Sequence, residues 1–206
     1  MHQLQQVVQE CLDDIILYRQ SRLTDTSDNL SDVLDSKLYK EMFNGIYVRG
    51  SNVPPTSNEL HISTQMNTDG VALIRSSKLS VWPIYLTINE IPPGKRYTRK
   101  FRIFAGLWFG EHKADMLIYC EPLIKEFQNL YNQCFEILHC GKQLLVRTVM
   151  LSGVFDSPAR SSAQGFLQFN GYNSCPNCSI PGENLKVSEK GRVTIFPFNT
   201  LRIWSS

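Results

Sequence analysis

The chain has 206 residues, 21 Lys and Arg against 19 Asp and Glu, a formal charge of +2, and 42% hydrophobic and 11% aromatic residues. This composition excludes an extensively disordered chain and leaves room for one domain with or without a helical extension. It also gives no overall field that would by itself imply nucleic acid binding.

No apolar run approaches the roughly 20 residues that span a bilayer, and residues 1–20 lack the basic and apolar regions of a secretion signal. A soluble protein without a membrane partner is expected. Six cysteines with one close pair point to a reducing compartment rather than a disulfide framework. Cys11, Cys120, Cys134 and Cys140 are expected to pack as small apolar residues.

In chain order, Leu4, Val7, Val8, Cys11, Leu12 and Ile15 recur at helical spacing and predict an amphipathic helix ending between Tyr18 and Arg22. Residues 21–36, rich in Ser, Thr, Asp and Asn, read as a polar linker before a short helix through Leu38, Met42 and Phe43. Residues 60–68 alternate and end at Asp69-Gly70, as a strand and turn would. Residues 79–91 predict a second strand, in which Pro83 argues for an edge or a bulge, closed by Pro92-Pro93-Gly94. Residues 100–109 predict a third. Helical spacing returns over 115–131, with Leu117, Leu123, Ile124, Phe127 and Leu130 on one side and Pro122 at a kink or in the first turn. The apolar run from Leu144 to Val154 predicts a strand buried on both faces, stopping at Asp156.

The order strand, strand, strand, helix, strand is that of a ribonuclease H-like mixed sheet, with the fourth strand returning parallel to the first and beside it. Asp69 and Asp156 would then leave neighbouring strands about 4.8 Å apart and could share hard cations. On spacing alone, Asp69 is equally a turn residue before Gly70, and Asp156 a helix cap before Ser157-Pro158. Cys175-Pro176-Asn177-Cys178 offers two thiolates for one face of a tetrahedral zinc site, or an unmetallated turn. The basic and aromatic stretch with Lys95, Arg96, Arg99, Lys100 and Arg102 reads either as a phosphate-contacting hairpin or as a solvated edge guarded by charge.

Several of these segments, in this order, resemble the transposases of CACTA (En/Spm-type) DNA transposons, in particular the animal members. They are Asn67-Thr68-Asp69-Gly70, Ser80-Val81-Trp82-Pro83-Ile84, Asn89-Glu90-Ile91-Pro92-Pro93, Glu121-Pro122-Leu123 within residues 115–127, Asp156-Ser157-Pro158-Ala159, and Gly171-Tyr172-Asn173-Ser174-Cys175-Pro176-Asn177-Cys178. The resemblance implies an α/β fold with a truncated ribonuclease H-like core, β-β-β-α-β, over residues 46–206. A helical extension and linker would occupy residues 1–45, and a cysteine-containing insertion would begin at 171–206. It implies Asp69 and Asp156 as the first two acids of a catalytic triad binding Mg²⁺ or Mn²⁺, with Zn²⁺ at Cys175 and Cys178 in an intact protein.

The activity implied is metal-dependent cleavage and transfer of DNA strands at transposon ends, in the nucleus, with self-association and no small-molecule substrate. Glu183 and Glu189 follow the cysteine pair too closely, in an expected polar loop, to match the third acid. The chain is therefore expected to be a fragment that is inactive alone. The alternative is a non-catalytic relic acting as a DNA- or protein-binding module.

Overall fold

The computed structural model describes residues 2–25, 29–43, 58–72, 79–168, 170–175 and 180–196. Two helices open the chain, α1 (His2–Glu10) and α2 (Leu12–Thr24). The expected apolar stripe crosses both, with Leu4, Val7, Val8, Cys11, Leu12 and Ile15 all buried. Cys11 breaks helical geometry at φ −116°, ψ 26°, yet its N–H still donates to the Val7 carbonyl at 3.2 Å and its carbonyl accepts from Ile15 N–H at 2.9 Å.

The segment expected as a linker is partly ordered by charge. Asp32 caps a 3₁₀ turn, Val33–Asp35, in a reciprocal box with Asp35, and α3 (Lys37–Phe43) follows. Arg22 Nε donates to Asp35 at 2.9 Å. Burial pushes the Asp35 carboxyl up, but Arg22 and the N–H groups of Ser31 and Asp32 outweigh it and hold the carboxyl below the usual carboxylate range. Ser, Thr, Asp and Asn favour irregular backbone, and here the irregular backbone is buried because cations from distant elements neutralise it.

The sheet strands are β1 (Glu59–Thr68), β2 (Val71–Ala72), β3 (Ser80–Ile88) and, after α4 (Pro93–Arg96), β4 (Ile103–Gly110). Then come α5 (Met116–Gln133), β5 (Phe135–His139), β6 (Lys142–Val154) and α6 (Ser157–Gln164). β1 pairs antiparallel with β3 and parallel with β6. β4 lies on the far side of β3, and β5 pairs antiparallel with the first part of β6. The β1–β3 register, Thr68 against Ile84, continues into β2, Val71 against Val81. β1 and β2 therefore form one line, broken at Asp69-Gly70. Pro83 falls opposite that break, inside the sheet rather than at an edge, and one residue before the irregularity in the β3–β4 register between Ile84 and Tyr85, in keeping with the bulge alternative.

Two elements differ from expectation. Lys100 opens no strand: residues 93–101 form α4 and a 3₁₀ turn, and the third strand begins only at Ile103. β5 was unforeseen. It turns into β6 through Cys140 and Gly141, both left-handed at φ 49° and 75°, as the two-residue hairpin turn between His139 and Lys142 requires. Cys140 is thus an exposed turn residue rather than a packing one.

Helix α5 starts at Asp115, whose carboxylate accepts from Leu117 N–H at 3.0 Å. Its buried face is Met116, Leu123, Phe127 and Leu130, while Leu117 is 83% exposed and Ile124 is also exposed. Leu117 and Ile124 lie about 100° round the helix from that face, so they miss the sheet. Pro122 sits inside the helix, beyond its first turn.

One core joins α1, α2 and α5 to the sheet through Ile62, Met66, Ile84, Leu86, Ile88, Ile137 and Val146, among others. Fully buried side chains such as Ile62 and Leu86 each contribute about 1.5–3 kcal/mol relative to exposure. The glutamines of α1 have a use that composition does not reveal. Gln3 Oε1 accepts from Phe104 N–H of β4 at 3.0 Å, while Gln5 and Gln9 Nε2 donate to the Glu136 and Leu138 carbonyls of β5 at 3.1 and 3.0 Å. The sheet curls until one helix reaches both of its outer strands and satisfies backbone groups that would otherwise be open for pairing. A separate exposed hairpin, β7 (Glu183–Lys186) and β8 (Arg192–Ile195), follows. Glu183 therefore stands on a strand rather than in the expected polar loop.

Candidate functional site

Ser63, Gln65, Asn67 and Asp69 alternate onto one face of the β1 line. Asp69 is exposed at the break, and the adjacent glycine is required by packing. A Cβ on Gly70 would lie 2.5 Å from the Trp82 ring, so Trp82 covers the backbone there. Trp82 belongs to a second small core with Ala114, Met116 and Ala159, and Tyr119 OH donates to its carbonyl. The Thr-Asp-Gly, Ser-Val-Trp-Pro and Asp-Ser-Pro-Ala segments are thus held together around one indole.

The β1–β6 pairing sets the relation of the two aspartates. Thr64 faces Met150, but Gln65 faces Ser152, so Leu151 is an extra residue on β6. The shifted register then runs to Asn67 against Val154, where Asn67 Nδ2 donates to the Val154 carbonyl at 2.8 Å. Carried two residues further, that register sets Asp156 against Asp69; without the extra residue, Phe155 would stand there. A bulge beside a site commonly re-aims side chains in this way.

Asp156 is exposed and caps α6, its Oδ1 accepting from Ala159 N–H at 2.8 Å. The cap reading of Asp156 is therefore correct, and it occupies one carboxylate oxygen while holding the other end of the group fixed. Pro158 in the first turn and left-handed Gly165 after the last bound the helix. The donors available at this end of the sheet are hard carboxylate oxygens, which fit Mg²⁺ or Mn²⁺. Among the described residues, no group of three or more His, Cys, Asp and Glu is arranged to hold a metal. Cys178 lies outside the described residues, so a paired zinc knuckle with Cys175 is not described; the loop is pinched by Gly182 N–H donating to the Tyr172 carbonyl at 2.5 Å.

The basic stretch corrects an expectation. It begins after β3 has run to its far end and leads into Ile103, paired with Leu86, so it lies at the opposite end of the sheet from Asp69. Arg96 is 3% exposed and faces no solvent. Its Nε donates to the Ile91 carbonyl at 2.9 Å and its Nη2 to Asp32 at 2.9 Å. Lys95 pairs with Asp14 at 2.7 Å, and Lys100 pairs with Glu10. Arg102 donates to the Tyr97 carbonyl at 3.1 Å and lies over the Tyr85 ring. Arg99 is exposed. Part of this charge fastens the sheet to the N-terminal helices, through Asp14 and Glu10.

Beside it lies a group that sequence reasoning missed. Glu90 is fully buried and receives Ser63 N–H at 2.9 Å, Ser63 Oγ at 2.8 Å and Tyr39 OH at 3.0 Å. Asn89 Nδ2 also donates to Ser63 Oγ at 3.0 Å. Burial pushes the Glu90 carboxyl up against the opposing pull of these donors. In the sequence the Asn89-Glu90-Ile91 segment stands out only through the family resemblance.

The model of the transposase family tnp2 matches residues 34–199. The chain belongs to that family. No curated protein sequence matches it. The matched span runs from the buried turn at Leu34 through both aspartates and past the cysteine loop, so the tnp2 segment includes every described strand, while Leu4 to Ile15 of the main core lie before it. No helix among the described residues is long and apolar enough to cross a membrane.

Proposed function

We propose that this tnp2-family chain is the metal- and DNA-binding part of a CACTA-type transposase with a ribonuclease H-like core, Asp69 and Asp156 being two ligands of Mg²⁺ or Mn²⁺. The observation that carries this reading is the bulged register that brings both carboxylates to the same end of neighbouring parallel strands. The strand order β4-β3-β1-β6, with the crossover through α5, supports the core assignment. Bound divalent ions would supply charge neutralisation for attacking and leaving oxygens in phosphodiester cleavage and strand transfer.

The chain's own residues orient that chemistry. Asp156 is held by its cap to Ala159, Asp69 by Gly70 under Trp82, and Asn67 ties the two strands one step before the site. The described residues bring no third carboxylate to the pair, so the chain alone binds DNA and metal without completing strand transfer. Action on transposon ends places it in the nucleus, with self-association there, and Cys175 with Cys178 is the zinc half-site of the intact protein.

Mn²⁺ titration followed by calorimetry tests the reading: saturable binding to the full chain, lost in both Asp69→Asn and Asp156→Asn, is expected. Binding unchanged in both variants overturns it. A non-catalytic binding module is the second reading, favoured because the described residues bring no third carboxylate to the two aspartates; it requires DNA affinity that is indifferent to both substitutions.

A further inference from the structure

Helix α6 carries a second feature, on its side rather than at Asp156. Ser157, Arg160, Ser161 and Gln164 recur at helical spacing and, with Phe166, Leu167 and Ser174, line a cleft of about 20 Å³. That volume admits one oxygen-sized group and excludes a nucleobase. Ser174 is 7% exposed, and its hydroxyl has no hydrogen-bond partner among the described residues. A buried hydroxyl without a partner is unfavourable, so a ligand oxygen is wanted there.

The other polar groups of the cleft are partly committed. Ser161 Oγ donates to the Pro158 carbonyl at 2.9 Å. In the first turn, Ala159 N–H goes to Asp156 Oδ1, Arg160 N–H to the Asp156 carbonyl at 2.8 Å, and Pro158 has none, which leaves Ser157 N–H outside both cap and ladder. Arg160 is exposed and makes no ion pair with a described residue. An exposed guanidinium at the rim, with a buried hydroxyl donor awaiting an acceptor, suits a tetrahedral anion with one oxygen inserted.

We propose that this cleft is a subsite for a backbone phosphate of the DNA strand led toward Asp69 and Asp156, with Arg160 and Ser174 as its donors. The inference rests on the DNA-binding reading above and adds where the strand enters. It also replaces the distant Lys95 to Arg102 stretch as the phosphate contact nearest the aspartates.

The test is anisotropy titration of the full chain with a labelled duplex in metal-free buffer over a series of salt concentrations, for the wild type, Arg160→Ala and Ser174→Ala. Arg160→Ala is expected to weaken binding about tenfold, the worth of one charge-assisted bond, and to reduce the salt slope by about 0.9, one phosphate contact. Ser174→Ala should weaken binding several-fold with the slope unchanged. Matching urea midpoints for the variants exclude unfolding as the cause.

If the wild type binds duplex and Arg160→Ala binds with the same affinity and slope, this inference fails and the DNA reading stands. If the wild type binds no DNA, both fail. If Ser174→Ala binds DNA as the wild type does, the cleft holds water and the phosphate assignment is overturned. Protection of Arg160 from phenylglyoxal by inorganic phosphate but not by duplex would assign the cleft to a free anion and overturn it equally.

Discussion

Two ends of the same strand treat carboxylates in opposite ways. Ser63 and Asp69 lie on one face of the β1 line, yet Ser63 is sealed under Tyr39 and bonded to the fully buried Glu90, while Asp69 stands in solvent beside the Asp156 end of β6. At the buried end the Ser63 and Tyr39 donors all meet the carboxylate, and the acid is a fastening. At the open end one oxygen of Asp156 is spent on a cap and both carboxylates are exposed. The comparison separates buried acids from exposed ones by what surrounds them, since local sequence makes Asp69, Glu90 and Asp156 look alike.

The largest effect should come from the buried end. Arg96→Met leaves Asp32 buried without its cation and should cost about 4 kcal/mol in urea unfolding. A cost below about 1 kcal/mol would mean that Arg96 is not the fastening described. Glu90→Ala strands the Ser63 and Tyr39 donors and should cost about 3 kcal/mol by the same measurement.

The sign of the pH dependence sharpens this. Because the folded carboxyl of Glu90 is raised, the stability it contributes is fully present below the ordinary glutamate value of 4.5 and is lost as pH rises through the folded value. Glu90→Gln should flatten that decline, and an unchanged slope of unfolding free energy against pH would contradict it.

At the open end the effects on folding are small and the effects on ligands large. Asp156→Ala should cost about 1 kcal/mol through the lost cap, while Asp156→Asn, also a good cap, should cost only a few tenths. Both should lose the rise in melting temperature that Mn²⁺ gives the wild type. Asp69→Asn should change stability by no more than about 0.5 kcal/mol, the smallest effect of the series, and still lose the Mn²⁺ response. A large unfolding penalty at Asp69 would erase the distinction between the two ends.

Periodicity made the strands β1, β3, β4 and β6, the crossover helix and the buried stripe Leu4 to Ile15 legible, because burial on a strand or helix face has a fixed period in sequence. One cap was legible too: Asp156 precedes its helix as the cap reading has it. What periodicity cannot show is which distant group meets a given charge. Arg96 read as surface because its stretch is basic; Asp32, on a segment that looked like a linker, buries it. Leu117 read as core because it fits a helical stripe, but the sheet contacts the neighbouring face.

The sequence by itself determined the kinds of element, their order and the two acids at strand ends, since local propensity and apolar spacing are properties of neighbouring residues. Only the tertiary structure decided the role of each charge. The bulge at Leu151 set Asn67 against Val154 just before the two aspartates, the curl of the sheet let the glutamines of α1 meet both outer strands, and the docking of α3 turned Glu90 into a buried fastening. Each of these depends on free energies between residues far apart in the chain, where Coulombic pairing and desolvation are set by distance and burial rather than by sequence position.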